Sequence, residues 1–303
     1  MSGVVDGRVV IVTGAGGGIG REHAMLFAAE GAKVVVNDLG GARDGSGGSS
    51  GPANDVVEEI KAAGGDAVAN TDDVSSWDGA ERLVQTAVDA FGTLDVLVNN
   101  AGILRDRMLV NMTEAEWDAV IKVHLKGTFA PARIAAAYWR DRSKAGDQPD
   151  ARIINTTSPS GIFGNIGQTN YGAAKAGIAA FSIIAAAELG RYGVTVNAIA
   201  PTALTRMTAD LGGFESMDEA AKDSISPDKI SPLVVWLAST QSAGITGRVF
   251  GVTGNRIAVG EGWAYGPHVE REEKWQPGEL GEVIPELVAA AAKNADMSGD
   301  RPA

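Results

Sequence analysis

Short apolar runs that alternate with helical patterns constrain the fold of this chain more than any other feature. The first run, RVVIVT at residues 8–13, is almost continuously apolar, which is typical of a strand buried on both faces. Similar runs follow, such as KVVVND at 33–38 and LDVLVNNAG at 94–102, with helical patterns between them. The alternation predicts a doubly wound α/β fold, in which a seven-stranded parallel sheet carries helices on both faces.

The same pattern organises the chain into one domain and an extension. Strand-like runs continue to GRVFGVTG at 247–254, so a single domain is predicted over residues 1–260, with a substrate lid at about 202–227. The Gly- and Ser-rich stretch at 40–52 is interpreted as an enlarged strand-to-helix loop inside that domain. Residues 261–303 are expected to pack on the domain or on a neighbouring subunit.

Composition narrows the classes of function. The net charge of -12 disfavours nucleic acid as a partner, because such a surface repels phosphate backbones. The chain has no cysteine, which excludes disulfides and thiolate catalysis and agrees with a cytoplasmic location. The residues suggest neither a signal peptide nor a membrane span. The histidines His23, His124 and His268 lack metal-ligand spacing, so no metal is expected.

A glycine-rich turn joins the first strand to the first helix. In VTGAGGGIG at 12–20, Gly14, Gly18 and Gly20 allow a tight turn, and Ile19 lies between the last two. Such glycines let the backbone approach a pyrophosphate, which the N–H groups and dipole of the following helix attract. The turn therefore predicts a dinucleotide cofactor and a fold of Rossmann type.

A carboxylate at the end of the second strand bears on which cofactor binds. Asp38 lies 18 residues after Gly20, where it can accept hydrogen bonds from the adenosine ribose hydroxyls and repel a 2′-phosphate. The glycine turn holds no Lys or Arg that could receive such a phosphate. These features favour NAD over NADP, although Arg43 lies close enough in sequence to reach a phosphate.

Three residue types with acid–base potential complete the motifs. In YGAAK, Tyr171 and Lys175 share one helix face, and Ser158 lies 13 residues before Tyr171 at the end of a strand. With the TGxxxGxG turn and NNAG at 99–102, this set resembles the short-chain dehydrogenase/reductase family over residues 8 to about 255. The resemblance implies an oxidoreductase that interconverts a secondary alcohol and a ketone.

The resemblance also implies a role for each motif residue. Tyr171 is the expected acid and base, Lys175 lowers the pKa of its phenol, and Ser158 hydrogen-bonds the substrate oxygen. His124 stands where the family more often has Asn, and we expect it to help hold a water next to Lys175. The implied cofactor contacts are Gly14, Gly18, Ile19, Gly20, Asp38, Asp73, Val74, Asn99, Ala101, Gly102, Tyr171, Lys175, Pro201 and Thr202.

Several stretches are similar to a narrower group, the (3R)-hydroxyacyl-CoA dehydrogenase unit of peroxisomal multifunctional enzymes of type 2. They include VVVNDLGG, NNAGILRDRM, VHLKGTF and SGIFGNIGQTNYGAAK. This similarity implies a 3-hydroxyacyl thioester or a hydroxysteroid as substrate and a homotetramer or dimer. Apolar candidates for the substrate pocket are Met108, Ile162, Phe163 and Met207, and basic candidates for its rim are Arg105, Arg107 and Arg206.

Two other functions remain open at this point. An NADPH-dependent 3-oxoacyl reductase would use the same catalytic residues, but Asp38 argues against it. A non-catalytic nucleotide-binding scaffold would be marked by loss of Ser158, Tyr171 or Lys175, and all three are present.

Overall fold

The computed structural model describes residues 3–205 and 217–301, and one sheet runs through them. It has eight strands in the order β3-β2-β1-β4-β5-β6-β7-β8, so the chain doubles back between β3 and β4. The strands are β1 (Val9–Thr13), β2 (Lys33–Asn37), β3 (Asp66–Asn70), β4 (Val96–Asn99), β5 (Ala151–Thr156), β6 (Val194–Thr202), β7 (Val249–Thr253) and β8 (Arg256–Gly260). The predicted doubly wound fold is confirmed.

Helices cover both faces of this sheet. They are α1 (Gly18–Ala29), α2 (Gly51–Ala62), α3 (Trp77–Phe91), α4 (Glu114–Ile121), α5 (Gly127–Lys144), α6 (Pro159–Ile162), α7 (Thr169–Leu189), α8 (Glu219–Ser224), α9 (Ser231–Leu237) and α10 (Leu280–Ala290). A π-helical segment, Lys122–Lys126, joins α4 to α5. The Thr113 capping box is present at the start of α4, as its TEAE sequence predicts.

The central strands are apolar along their whole length because they face two cores. Successive side chains of a strand point to opposite faces of the sheet. In β1, Val10 and Val12 join the core beneath α1, α2 and α9, whereas Val9 and Ile11 join the core beneath α3, α5 and α7. A continuous apolar run is therefore the expected sequence of a strand in this position.

The prediction of seven parallel strands was wrong in one detail, because an eighth strand is present and is antiparallel. β8 pairs with β7 through a two-residue turn at Gly254 and Asn255, and Thr253 stands opposite Arg256. Gly254 has a φ of +52°. Glycine with positive φ at the first central position is typical of a tight hairpin turn. The Gly-Asn pair was the sequence signal for this hairpin.

The Gly- and Ser-rich stretch lies inside the domain, as predicted. It joins β2 to α2 and rests on the segment after β4, which we call the β4 loop (residues 103–107). The backbone N–H of Leu104 donates to the carbonyl oxygen of Arg43 at 3.1 Å, and Nε of Arg105 donates to that of Asp44 at 2.9 Å. The stretch thus connects the end of β2 with the end of β4.

The extension after β8 is highly exposed. Trp263 and Tyr265 are fully exposed, and α10 has no buried residue. Two residues near the end of the extension contact the domain. The carbonyl oxygen of Ser298 accepts a hydrogen bond from Arg256 of β8, and Gly299 lies against the ring of Phe163. Of the lid predicted at 202–227, residues 206–216 lie outside the described residues, and Met207 and Arg206 with them.

One helix in the described chain, Thr169–Tyr192, is long and apolar enough to cross a membrane by length and composition. Its buried side belongs to the domain core. Ala174, Ile178 and Ser182 on this helix are buried, and its first turns carry Tyr171 and Lys175. One face of the helix therefore belongs to the core, and its other face remains exposed.

Candidate active site

The carboxyl ends of the parallel strands meet at one edge of the sheet, and the predicted residues gather there. At the end of β1, Gly14 has a φ of +65°, and a Cβ added to it would lie 2.7 Å from Cα of Ala101. The glycine turn and the NNAG segment after β4 therefore touch through their backbones. A side chain at Gly14 would force these two segments apart.

The glycine turn has the features that a dinucleotide requires. Gly17 is the N-cap of α1 and is extended, and no side chain caps the helix there. The first N–H groups of α1 and its dipole are thus available to an anionic group. Ile19 packs against the core below, and Thr205 lies on the other side of Gly18. These residues fit the pyrophosphate of a nicotinamide dinucleotide.

Asp38 lies against the same turn. Its Oδ2 accepts a hydrogen bond from the N–H of Gly16 at 2.8 Å, and its Oδ1 accepts one from the N–H of Gly40 at 2.7 Å. These two bonds hold the carboxylate beside the glycine turn. The position fits recognition of the adenosine ribose hydroxyls, which offer donors to a carboxylate.

Two predicted cofactor contacts, Asp73 and Val74, lie at the neighbouring strand end, after β3. Val74 is buried, and Oδ1 of Asp73 accepts from the N–H and the hydroxyl of Ser75 at 2.8 and 2.6 Å. Burial alone would raise the pKa of Asp73, but the hydrogen bonds from Ser75 and the nearby Lys122 ammonium lower it below its usual value. Asp73 is therefore an anchored carboxylate with one oxygen directed to Lys122.

Thr13 organises the contact between β1 and the NNAG segment and was missed in the sequence. Its hydroxyl accepts hydrogen bonds from the N–H of Asn100 at 2.9 Å and of Ala101 at 3.1 Å. The side chain of Asn100 donates in turn to the carbonyl oxygens of Thr13 and Gly14. The position of NNAG relative to the glycine turn depends on these bonds.

The side chain of Asn99 is hydrogen-bonded beneath the edge of the sheet. Its Nδ2 donates to Oδ1 of Asn155 in β5 at 2.9 Å, and Nδ2 of Asn155 donates to Oγ of Ser182 in α7 at 2.8 Å. All three side chains are buried. The chain of hydrogen bonds ties β4, β5 and α7 together beneath the site, and polar residues inside the apolar runs were its only sequence signal.

The catalytic candidates meet where β5 and α7 approach each other. Nζ of Lys175 lies 5.5 Å from the centroid of the Tyr171 ring and donates to the carbonyl oxygen of Thr156 at 2.6 Å. Ser158 caps α6, accepting from the N–H of Ser160 at 3.1 Å, and its hydroxyl lies close enough to the phenol of Tyr171 to lower the pKa of that group. The structure thus brings together Ser158, Tyr171 and Lys175.

Burial shifts the pKa of both ionisable groups of this set. It raises the pKa of Tyr171 to about 12, an effect that the hydrogen bond with Ser158 opposes and the charge of Asp106 reinforces. Burial also lowers the pKa of Lys175 to about 7. Since a buried site disfavours charge, a phenolate here requires compensating positive charge close by.

His124 lies in the π-helical segment and faces this pair. Its ring packs edge-on against the Tyr171 ring, with the two ring centroids 5.1 Å apart, and its Nε2 lies 2.7 Å from the carbonyl oxygen of Ile103. Burial first, and then the charge of Lys175, lower the pKa of His124 to about 3, so the imidazole is neutral at pH 7. A Cβ at Gly102 would overlap Cε1 of this ring. The His124 ring therefore leaves no room for a side chain at position 102.

The remaining predicted residues frame the site. Pro201 and Thr202 end β6, where they pair with Val252 and Thr253 of β7. The apolar candidate Phe163 lies after α6, and Met108 follows the β4 loop and is exposed. The two segments are joined by the N–H of Arg107, which donates to the carbonyl oxygen of Gly167 at 2.8 Å.

A family model described as short chain dehydrogenase matches residues 8–215. The chain belongs to the short-chain dehydrogenase family. The chain is 46% identical over 288 residues to hydroxyacyl-CoA dehydrogenase ChsB1 of Mycobacterium tuberculosis, and the match covers 91% of this chain and 87% of that protein. A crystal structure of a short chain dehydrogenase from Mycobacterium avium has a TM-score of 0.87 and 57% identity, and covers 97% of this chain and 98% of that one.

The narrower similarity is confirmed as well. The chain is 45% identical over 258 residues to peroxisomal multifunctional enzyme type 2 of Mus musculus. That match covers 85% of this chain and 32% of the mouse enzyme, so the chain spans about a third of its length. As a family member, the chain is an oxidoreductase that acts on CH–OH groups and uses a nicotinamide cofactor.

The contact between Gly102 and His124 can be tested directly. We expect Gly102→Ala to lower kcat/KM at least about tenfold, because the added methyl displaces a ring that contacts Tyr171. In the double variant Gly102→Ala/His124→Ala, the alanine at 124 leaves room for the added methyl. Its kcat/KM should therefore be higher than that of Gly102→Ala. Steady-state kinetics and thermal unfolding measure both effects. A fully active Gly102→Ala enzyme would contradict the contact.

Proposed function

We propose that this dehydrogenase oxidises a 3-hydroxyacyl-CoA thioester with NAD, using Tyr171 as the base. The observation that carries the proposal is the meeting of the Tyr171 phenol with Ser158 and Lys175 at the edge where the glycine turn lies. The name of ChsB1, a hydroxyacyl-CoA dehydrogenase, supports a hydroxyacyl substrate. A hydroxysteroid is the alternative substrate, and a 3-oxoacyl reductase uses the same groups in reverse.

The residues suggest how the proton moves. The substrate hydroxyl would lie between Ser158 and Tyr171, with Ser158 holding its oxygen while Tyr171 takes its proton. The nicotinamide ring supplies the hydride acceptor when it is bound. Lys175 lies close enough to stabilise the phenolate as an ammonium, and this charge opposes the effect of burial on Tyr171. A relay through His124 stays a prediction, and its neutral state favours hydrogen bonding over charge transfer.

Residues at the mouth of the site suit an acyl chain. Met108, Leu109, Val110 and Ile166 are exposed apolar side chains on the two segments joined through Arg107 and Gly167. A long aliphatic or ring-shaped substrate would cover these exposed apolar side chains when it binds. Arg105 and Arg107 on the β4 loop are the described candidates for the anionic end of the thioester.

The replacement Tyr171→Phe tests the base. Because it removes the proton acceptor and leaves the ring that packs on His124, we expect kcat to fall at least about a thousandfold with little change in NAD affinity. Oxidation of (3R)-hydroxyacyl-CoA thioesters and hydroxysteroids measures kcat, and fluorescence titration measures NAD binding. Tyr192→Phe, at a residue far from the site, is the control. Retention of most activity would refute the assigned base.

Asp38 is the basis for the choice of NAD. We expect wild-type protein to bind NADH more tightly than NADPH by fluorescence titration, since the carboxylate repels a 2′-phosphate. Asp38→Ser should reduce the ratio of NADH affinity to NADPH affinity at least about tenfold, because NADH binding weakens and the repulsion of the 2′-phosphate is lost. Asp72→Asn, at the next strand end, is the matched control. Tighter binding of NADPH by the wild type would favour the reductase alternative.

We also propose that the enzyme is a homo-oligomer. The outer face of α7 exposes Ile183 and Ile184, and Phe129 on α5 is exposed beside it. In the extension, Trp263 and Tyr265 are fully exposed. A second copy would bury both surfaces, with the long helices at the centre and the extension on the neighbouring subunit. A cytoplasmic location stays a prediction.

Light scattering on the purified chain tests the assembly. We expect a dimer or tetramer, and Ile184→Asp should dissociate it because a carboxylate would be buried in an apolar interface. Lys61→Asp on the exposed side of α2 should leave the mass unchanged. Replacing Trp263 and Tyr265 with Ser should weaken association if the extension packs on a neighbour. A monomeric wild type would overturn this proposal.

A further inference from the structure

Asp106, in the β4 loop, is part of a hydrogen-bond chain that sequence motifs did not indicate. Its Oδ2 accepts from Nε2 of Gln168 at 2.8 Å. Oε1 of Gln168 then accepts from Oγ of Ser160 at 2.8 Å and from Nδ2 of Asn165 at 3.0 Å. Since a carboxylate oxygen only accepts, Asp106 determines which end of the Gln168 amide faces the two donors. Gln168 and Ser160 are both buried.

The hydrogen-bond chain continues to a catalytic group. Ser160 uses its hydroxyl on Gln168 and donates its backbone N–H to Oγ of Ser158 at 3.1 Å. One acceptor position of Ser158 is thereby occupied. The remaining acceptor position and the hydroxyl proton of Ser158 are left for Tyr171 and a substrate. An altered Gln168 amide would therefore reach Ser158 through two hydrogen bonds.

The second carboxylate oxygen of Asp106, Oδ1, bears on the charge around Tyr171. Oδ1 is buried and accepts no hydrogen bond from the described residues. The carboxylate of Asp106 is hydrogen-bonded to Gln168, the N-cap of α7, which precedes Tyr171 by three residues, so it lies close to the first turn of the helix that carries the phenol. The other ionisable and polar groups near Tyr171 are Lys175 from α7, Ser158 from the end of β5 and His124 from the π-helical segment. Among all these groups Asp106 is the carboxylate, and after burial it is the second cause that raises the pKa of Tyr171.

We propose that Asp106 is a positioning residue of this site, which orients Ser158 through Gln168 and Ser160 and places a negative charge beside the phenol of Tyr171. The proposal rests on the proposed role of Tyr171 as base. The β4 loop is held firmly beside α7, because Asn170 donates to the carbonyl oxygen of Arg105 at 3.0 Å and accepts from the N–H of Tyr171 at 2.7 Å. The loop that carries Asp106 and the helix that carries Tyr171 are therefore joined through both Asn170 and Gln168.

Two replacements separate the charge of Asp106 from its role as acceptor. Asp106→Asn keeps an oxygen for Gln168 and removes the charge, whereas Asp106→Ala removes both. Oxidation needs Tyr171 without its proton, so activity rises as pH rises through the pKa of its phenol. Removing a nearby negative charge lowers that pKa, so for Asp106→Asn we expect the rising limb of kcat/KM to move to lower pH by roughly half a unit or more. For Asp106→Ala we expect kcat to fall at least about tenfold with unchanged NAD affinity.

A control and a second readout keep the test independent of substrate choice. Asp44 and Asp106 line the same cavity, which has a volume of about 450 Å³. Asp44→Asn removes a carboxylate from another part of its wall and should leave the pH profile unchanged. Ultraviolet titration of tyrosinate in the NAD complex, with Tyr171→Phe subtracted, should show the same shift for Asp106→Asn. Thermal unfolding identifies any variant that is simply unfolded.

The outcomes are distinct. A wild-type enzyme that turns over no secondary alcohol would defeat the proposed function, and the tyrosinate titration would still report on Asp106. A pH profile and titration of Asp106→Asn that match the wild type would overturn the electrostatic part. A folded Asp106→Ala with wild-type kcat would overturn the positioning part.

Discussion

The site depends on one constraint, which is that the chain after β4 must touch several other segments at once. NNAG is held to the glycine turn by the hydroxyl of Thr13. Immediately afterwards Ile103 contacts His124, Leu104 contacts the loop after β2, and Arg105 contacts Asn170 beside Tyr171. Residues 99–107 therefore connect the glycine turn with the cluster of Ser158, Tyr171 and Lys175. Glycine is needed at 14 and 102 because the backbone and the His124 ring occupy the space of a side chain.

Burial gives this arrangement its chemistry. It raises the pKa of the Tyr171 phenol to about 12 and lowers the pKa of Lys175 to about 7, so neither group is readily charged alone. A phenolate at Tyr171 and an ammonium at Lys175 would stabilise each other, and a bound cationic nicotinamide ring would favour the phenolate further. Asp106 acts in the opposite direction by favouring the protonated phenol. The balance between Lys175 and Asp106 would set the pH at which the proton leaves.

Sequence alone predicted the fold, and it identified most of the residues that the structure brings together at the strand ends, because those features are local. The glycine turn, the YGAAK helix and each apolar strand occupy only a few consecutive residues, and the alternation of strands with helices predicts a parallel sheet. Thr13 and the Asp106–Gln168 pair were missed because they act across 87 and 62 residues and meet only after the strands pair. β8 was missed although Gly254 and Asn255 form a recognisable two-residue hairpin turn, and Met207 lies outside the described residues.

A crystal structure of the Tyr171→Phe variant with NAD and a (3R)-hydroxyacyl-CoA bound would test the central claim most directly. We predict that the 3-hydroxyl oxygen lies within hydrogen-bond distance of Oγ of Ser158 and faces the end of the phenyl ring that replaces the phenol. The adenosine ribose hydroxyls should donate to the carboxylate of Asp38. A substrate whose hydroxyl lies away from Ser158, or a ribose directed away from Asp38, would contradict the account.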